Sequence, residues 1–512
     1  MTITMAKRAR APVALLALVL APTVHAEVKF TPSISGTGTF SDNVNLQTAD
    51  RAESSFVTDV APSFSLVSNG PRLKLTAGYQ LHLYSYSNKA DNTNNSSSQY
   101  QLNMQAKLID ELLDLDANAT RQTVSQSAFG PQGSDSLYSD SNRSDVSTYN
   151  ISPTLRHRFG GTADAYLRYS RNRVVGDSVL GSTNGENIVA NISSGSSFST
   201  VGWGLNAIQD EFSDERFGST QSQNAEASLR YRLTNSLSLT ATGGYDKYEY
   251  SAQSGNETKG ASYTGGFIWA PSPRTRLQMS YGKRYYGNTG SMNFSFRSHR
   301  SAMTASYGDT VTTSRQQFLA STVLSTAALL DSLLTASIPD PVERQKAVAA
   351  YLAASGLGTG LTNNTNYLSN VFQRQKQFQL GYSLQGRNST STLSVYKTRS
   401  AALSTQTADS DLLGQNLAIL NNNLDSTGFS ASYGYQLTSV TQALASLSYQ
   451  RSKTLDSDLT TDNNAVRLGL THAFDSKLRG TAEIRQTRGS YYNTGSSRYR
   501  ENAISATISK QF

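Results

Sequence analysis

The sequence contains no cysteine and only two tryptophans in 512 residues. The absence of cysteine excludes disulfides and thiolate metal sites, and it suits a chain that crosses an oxidising compartment with no thiol to mispair. Beyond residue 26 no run approaches the roughly 18 apolar residues that a membrane-spanning helix needs. Most of the chain is therefore either water-soluble or built from membrane-crossing strands.

The first 26 residues form a separate segment. Basic residues within positions 7–10 precede the apolar stretch 11–20, and positions 24–26 have the small-x-small pattern of a cleavage site. We therefore predict a secretory signal peptide over 1–26, cleaved after Ala26, and a single barrel domain over 27–512. The alternative, an uncleaved membrane helix, is disfavoured because the apolar core is too short to span a bilayer.

Alternation with a period of two runs through the rest of the chain. Apolar residues occupy the odd positions from Leu73 to Leu83, and polar residues occupy the even positions between them. Similar segments are 225–233, 277–281, 378–384 and 429–437. A mean hydropathy of -0.43 hides this pattern, because a barrel strand exposes apolar groups only at alternate positions.

The connections tend to alternate between short turns and long loops rich in Asn, Ser and Gly, as in a membrane barrel. The pattern predicts an all-β fold, a transmembrane antiparallel β-barrel of about 22 strands, in a Gram-negative outer membrane, with both chain ends periplasmic. Counts of 18 or 20 remain as alternatives. The strands at 188–193 and 294–298 are the weakest, and the long loops include 173–186 and 489–497.

The last strand places Ile504, Ala506, Ile508, Lys510 and Phe512 on one face. A terminal aromatic that closes an alternating strand resembles the assembly signal of outer-membrane barrels. We therefore expect Ile504, Ala506, Ile508 and Phe512 to form such a signal, with the barrel assembly machinery and outer-membrane lipid as partners. Lys510 departs from the usual apolar residue, but a lysine at the interface can extend to the head groups.

One segment, 314–368, breaks the strand pattern. Leu319, Val323 and Ala327 follow helical spacing, and a second helix is predicted to begin with Asp340 as N-cap and Pro341 at its first position. The strand count makes this insertion extracellular. It is either a surface hairpin or a lid over the barrel mouth.

Strand parity assigns a largely basic set of charges to the lumen. A cationic lumen attracts anionic solutes such as an acidic glycan. Alternatively, these arginines form ion pairs across the lumen or extend to the rims. The basic residues are Arg156, Arg158, Arg168, Arg230, Arg232, Arg276, Arg284, Arg467, Arg479 and Arg485, and the acids are Asp164, Asp246 and Glu483.

The same parity directs four tyrosines inward, where their rings would offer flat surfaces to sugars. Alternatively, these tyrosines belong to the belt of aromatic residues at the membrane–water interface. They are Tyr84, Tyr86, Tyr166 and Tyr248, accompanied by the polar side chains of Gln80, Gln278, Gln379 and Asn172. These amides would suit hydrated carbohydrate, or simply water.

Nothing in the sequence indicates catalysis. The histidines at 82, 157, 299 and 472 have no metal-ligand spacing, and sequence proximity does not group a nucleophile with a base and an orienting residue. No Gly-rich phosphate loop or nucleic-acid module is present. We expect neither an enzyme nor a cofactor, metal or nucleic-acid site.

Several segments resemble a known family, the outer-membrane barrel proteins associated with the PEP-CTERM/exosortase system and its exopolysaccharide gene clusters. They are 32–46 (PSISGTGTFSDNVNL), 55–66 (SFVTDVAPSFSL), 108–119 (LIDELLDLDANA), 338–352 (IPDPVERQKAVAAYL) and 370–382 (NVFQRQKQFQLGY). The resemblance implies a barrel linked to production or secretion of an extracellular polysaccharide, with that polymer and periplasmic export components as partners. It supplies no catalytic residue.

These observations favour an outer-membrane channel that exports an anionic polysaccharide. One alternative is a barrel without transport activity that anchors surface polysaccharide through its extracellular loops. A second is a general diffusion porin, which differs only in pore width.

Overall fold

The computed structural model of the chain describes residues 28–88, 95–133, 142–176, 182–214, 218–250, 258–319, 371–404, 422–492 and 496–512, together with 330, 331, 334, 344, 348 and 420. The predicted signal peptide lies outside these residues.

Twenty-two strands follow one another along the chain. Their bounds are β1 Val28–Ser41, β2 Ser55–Asn69, β3 Leu73–Tyr86, β4 Ser96–Ile109, β5 Leu113–Ser125, β6 Arg143–Phe159, β7 Ala163–Gly176, β8 Ser182–Ser194, β9 Val201–Asp214, β10 Gly218–Arg232, β11 Leu237–Glu249, β12 Lys259–Ser272, β13 Thr275–Arg284, β14 Gly287–Arg297, β15 Ser301–Thr312, β16 Gln373–Gln385, β17 Ser389–Ala402, β18 Leu424–Gln436, β19 Thr441–Thr454, β20 Thr460–Ala473, β21 Leu478–Tyr492 and β22 Ser496–Gln511.

Each strand pairs antiparallel with the next, and β1 pairs with β22, so the sheet closes on itself. The prediction of about 22 strands is confirmed, and the alternatives of 18 and 20 are wrong. Of the two weakest predicted strands, 188–193 lies within β8, and 294–298 overlaps β14, which ends at Arg297. The predicted long loops at 173–186 and 489–497 are wrong, because β7, β8, β21 and β22 extend through most of both ranges.

The outer face of the barrel is apolar. Leu229, Ile508 and Tyr281 each expose about 60% or more of their surface (60%, 62% and 66%), while alternate residues such as Thr31 and Ser41 face inward and are buried. A closed barrel leaves no backbone edge unpaired, so such an apolar belt is stable in hydrocarbon. All connections at the end that holds the start of β1 and the end of β22 have two to six residues, whereas the other end holds the long connections together with some short ones. We assign the first end to the periplasm.

The insertion between β15 and β16 is helical in the part that the structure describes. Helix α1 spans Ser314–Leu319, and residues 330, 331, 334, 344 and 348 are also helical. The predicted helix start at Asp340 and Pro341 lies outside the described residues. No helix among the described residues is long and apolar enough to cross a membrane.

Candidate functional site: the barrel lumen

A cavity of about 2330 Å³ occupies the part of the lumen that is lined by β1 to β16 and α1. Its wall is built mainly from serine, threonine, asparagine and glutamine, because the inward position of each strand carries a polar residue. Gln80, Gln278, Gln379 and Asn172 all line it, as the alternation predicts. Such a wall offers hydrogen-bond donors and acceptors to a hydrated solute.

Six of the ten lumen arginines predicted from sequence form ion pairs. In the periplasmic half of the barrel, the pairs are Arg156 with Asp114 at 2.8 Å, Arg158 with Asp164 at 2.9 Å and Arg168 with Asp116 at 3.9 Å. Mid-barrel, they are Arg467 with Glu483 at 3.7 Å and Arg485 with Glu501 at 3.1 Å. For these five arginines the structure has the ion pairs that the sequence analysis gave as the alternative to a free cationic lumen.

The sixth arginine, Arg284, ties three strands together near the extracellular end. Its guanidinium contacts Glu226 on β10 and lies 3.0 Å from Asp246 on β11. Asp246 has no exposed surface and also accepts a hydrogen bond of 2.5 Å from Asn224. A carboxylate buried this completely requires its cationic partner, so this cluster stabilises the wall.

The other four arginines, Arg230, Arg232, Arg276 and Arg479, form no ion pair within the described part of the chain, and all are exposed. Three of them belong to a larger set on the periplasmic margin of β10 to β17, which we call the arginine arc. Its members are Arg230, Arg232, Arg274, Arg276, Arg297, Arg300 and Arg387.

The arginine arc contains no acidic residue. The ranges 229–240, 268–280, 293–304 and 383–394 have no Asp or Glu, although they carry all seven arginines. The arc is continuous across strands, since Arg297 donates its backbone N–H to the Arg274 carbonyl at 2.9 Å. Elsewhere on the same margin arginines have acidic neighbours, as in the Arg72–Asp110 pair at 2.7 Å. Positive charge is therefore concentrated on one side of the periplasmic opening.

Arg230 lies along the lumen wall over a glycine. A Cβ atom added to Gly202 would come within 3.0 Å of the Arg230 guanidinium. The absence of a side chain at Gly202 leaves room for this arginine, which lines the cavity while remaining exposed.

The four predicted lumen tyrosines do not form one surface. Tyr84 is 9% exposed and packs with Val44 and Val57, with Tyr86 against the same cluster. Tyr166 is 38% exposed and sits opposite Arg156 on the neighbouring strand. The structure therefore separates Tyr84 and Tyr86 from any continuous aromatic path along the lumen.

Tyr248 belongs to an aromatic cluster near the extracellular end that the parity rule only partly identified. Its ring lies 5.2 Å from that of Tyr285, and Tyr250 stacks on Phe372 at 4.9 Å. Burial raises the pKa of the Tyr250 and Tyr285 phenols, so both rings stay neutral. The sequence did not reveal Tyr285 and Phe372 because both lie outside the strands.

Three segments at the extracellular end fold inward, and we call them the mouth segments: the β1–β2 loop (42–54), the start of the β5–β6 loop (126–133) and α1. In the first, Val44 and Leu46 are 1% and 2% exposed. In the third, Phe318 packs with three lumen-facing valines, Val124, Val146 and Val174, on β5, β6 and β7. Helix α1 thus contacts a wall eight strands away from β15.

The second mouth segment crosses toward β20–β22. Phe129 is fully buried, and its carbonyl accepts the backbone N–H of Tyr492 at 2.8 Å. The Tyr499 hydroxyl accepts the N–H of Gln132 at 3.1 Å and donates to its carbonyl at 2.9 Å. Apolar packing and hydrogen bonds therefore hold this segment inside the mouth.

One polar group on the lumen wall includes a histidine. Nδ1 of His82 lies 2.8 Å from Oδ2 of Asp59, and Ser97 is the residue opposite His82 on β4. Oγ of Ser97 is buried and has no hydrogen-bond partner among the described residues. The Asp59–His82 contact joins β2 to β3, and the Ser97 hydroxyl beside it is not exposed to solvent. Among the same residues, no group of three His, Asp or Glu could hold a metal ion.

No protein-family model matches the chain, and no curated protein matches it. Solved structures that resemble it include the FrpB iron transporter from Neisseria meningitidis (10% identity, 94% of this chain and 82% of that one, TM-score 0.47). Another is the siderophore receptor PiuA from Acinetobacter baumannii (8% identity, 94% and 82% coverage, TM-score 0.48). A third is a loop-deletion mutant of OmpT, an outer membrane protein of Vibrio cholerae (9% identity, 95% and 99% coverage, TM-score 0.33). At these identities and scores the likeness says nothing about cargo.

The closed sheet, the exposed apolar belt and the polar lumen define the class of this protein, an outer-membrane β-barrel. Its lumen has a strongly basic margin at the periplasmic end and inward-folded segments at the extracellular end.

Proposed function

We propose that this barrel exports an acidic polysaccharide across the outer membrane and receives the polymer at the arginine arc. The observation that carries the proposal is the arc itself, with seven exposed arginines and no carboxylate within its four ranges. The resemblance to barrels of exopolysaccharide gene clusters suggests the class of polymer.

The first step is capture of the polymer from the periplasm. The positive charge of an arginine that has no carboxylate partner is not neutralised by the protein. A barrel opening lined only by such positive charges raises the local concentration of anions. Guanidinium groups also bind carboxylates through two parallel hydrogen bonds. A polymer with a carboxylate on each repeat could contact several arginines in succession, whereas a small anion contacts one or two.

The second step is passage along the lumen. Arg230 continues the arc into the cavity, and amides such as Gln278 and Gln379 line the wall beyond it. Hydroxyl and amide groups exchange hydrogen bonds with a hydrated sugar chain without binding it tightly. A wall of this kind therefore supports movement along the lumen.

The third step is release at the extracellular mouth, where the mouth segments narrow the lumen. The contacts of Phe129 and Phe318 make the closed form the resting state of the channel, and polymer in transit must displace them. A resting closure would prevent small solutes from leaking, which distinguishes this proposal from a general porin.

The test is a deletion strain complemented with variants of the arc. Arg230, Arg232, Arg276 and Arg297, all replaced by glutamine, should leave polymer in the periplasm. The matched control replaces four outward-facing cations, Arg171, Arg173, Lys259 and Lys283, with the same change of net charge. Surface polysaccharide should be normal with the control.

Other outcomes of the same strains exclude the proposal. Normal surface polysaccharide in the uncomplemented deletion strain would rule out an export role. Polymer that is secreted but shed into the medium would indicate a barrel that anchors polysaccharide, and deleting single extracellular loops should then reproduce the shedding. Constant large conductance of the purified wild-type barrel would indicate a porin.

A further inference from the structure

A second concentration of positive charge lies outside the lumen, at the extracellular edge of the lipid-facing surface. On β22 the outward positions below it are apolar, including Ile504 and Ile508, and the next outward residues toward the loops include Arg500 and Arg498. On β16 the outward positions change in the same way, from Leu380 and Phe378 to Lys376. The basic residues therefore begin where the apolar belt ends.

Two pairs of these cations face each other directly across neighbouring strands. Arg488 on β21 is the register partner of Arg500 on β22, and Lys376 on β16 is the partner of Arg399 on β17. All four side chains are exposed. Like charges placed directly opposite each other in a sheet destabilise it, so each pair has an electrostatic cost unless an anion lies between the two side chains.

The two pairs differ in the acids beside them. The Lys376–Arg399 pair has a carboxylate on either side, since Asp309 lies 4.0 Å from Lys376 and Asp425 is the register partner of Arg399. Arg488, Arg498 and Arg500 form no ion pair within the described residues. The nearby outward acid Asp462 already lies 3.9 Å from Arg451 and accepts the Tyr449 hydroxyl at 3.0 Å, and the Asp42 carboxylate accepts two hydrogen bonds from Asn502. An anion that offsets the Arg488–Arg500 pair therefore has to come from outside the described residues.

We propose that the outward face of β21–β22 binds the phosphate groups of a phosphorylated glycolipid in the outer leaflet. The ligand has to combine acyl chains, which cover the apolar belt below, with phosphate at the height of the arginines. A guanidinium recognises phosphate through paired hydrogen bonds, and two opposed arginines can hold one phosphate between them. This site is distinct from the arginine arc and does not depend on the proposed function.

The test compares lipid binding by full-length mature barrels in nanodiscs. The probe is fluorescent lipopolysaccharide, and the variant is Arg488→Gln with Arg500→Gln. The control, Lys247→Gln with Lys453→Gln, also removes two outward cations near the same edge, but each of these is already within 3.0 Å of a carboxylate. Since each basic residue at a lipid surface contributes roughly a fivefold change in affinity, we expect the variant to lose at least about tenfold and the control to lose little.

Two further arms identify the ligand. Lipopolysaccharide whose lipid portion has been enzymatically dephosphorylated should bind the wild-type barrel as weakly as the intact lipid binds the arginine variant. Equal binding of intact and dephosphorylated lipid would overturn the proposal, as would an equal loss in variant and control. Displacement of the lipid by millimolar inorganic phosphate would show a site for free phosphate, which also contradicts a lipid site. The heat-modified electrophoretic mobility of each variant verifies that it is folded.

Discussion

Phe318, on the connection that leaves β15, packs in one apolar cluster with Val174 on β7. The two residues lie on parts of the barrel separated by eight strands, so their contact anchors α1 to a distant part of the wall. This contact favours the lid over the surface hairpin, and the lid stays a prediction.

Replacing Phe318 by alanine should open the mouth. The side chain is 9% exposed, and removing a buried phenylalanine costs about 3 kcal/mol, which shifts the equilibrium between closed and open forms roughly a hundredfold toward open. Planar-bilayer recording should show a much larger open fraction. Phe429→Ala, which removes a ring from the lipid-facing surface, serves as the control. Identical conductance of the two variants would contradict the lid.

Tyr499→Phe should loosen the second mouth segment without disturbing the barrel. The substitution removes both hydrogen bonds to Gln132 and leaves its buried backbone groups unpaired, a loss of about 1–3 kcal/mol. Hydrogen exchange should become roughly tenfold to a hundredfold faster at the Gln132 amide. Tyr491→Phe, which loses a single contact of 3.5 Å to Gln47, should leave that amide unchanged. Equal exchange rates in both proteins would show that the hydroxyl does not hold the segment.

Arg284→Met should destabilise the barrel far more than Arg276→Met. The first change leaves the fully buried Asp246 without its cation, and breaking a buried pair from one side costs about 3–5 kcal/mol. The second removes an exposed arginine that has no acidic partner among the described residues. Unfolding by denaturant in detergent micelles measures the free energies. A difference below about 1 kcal/mol would mean that water or another cation compensates Asp246.

Removal of the terminal aromatic tests the predicted assembly signal. Phe512 is 59% exposed, and its backbone N–H donates to Pro32 at 2.9 Å. Phe512→Ala should lower the amount of folded, heat-modifiable barrel in the outer membrane several-fold, because the assembly machinery would recognise the last strand less well. Phe474→Ala removes an equally exposed ring, at 62%, near the same end. An equal reduction in both strains would point to loss of lipid contact instead.

The number of strands and the side of the barrel wall that each strand residue faces could be predicted, because both depend on the local alternation of apolar and polar residues. A residue at an even position of β3, such as Gln80, faces inward whatever the other strands do. The terminal strand and the helical character of the insertion are visible in the sequence for the same reason.

Pairing of charges could not be predicted in this way. Arg284 and Glu226 are 58 residues apart and meet only because β10, β11 and β13 align in one register. Arg284 was predicted to lie in the lumen but Glu226 was not included, and strand parity cannot say which charges meet. The two mouth segments in the β1–β2 and β5–β6 loops were missed because alternation ends with the strands, so nothing local directs Phe129 inward. Arg274, Arg300 and Arg387 were missed because they lie in turns, although the acid-free sequence around them is a visible signal.

The pairing of β1 with β22 joins residues as far apart as Thr37 and Thr507, whose hydroxyls lie 2.9 Å from each other. A sheet that lacks β22 has two edges whose backbone N–H and C=O groups neither lipid nor the sheet itself can pair. A chain cut short before Ser496 would lack the strand that seals the cylinder. This protein is therefore expected to insert as a complete unit, with premature truncation yielding material for periplasmic proteases rather than a smaller pore.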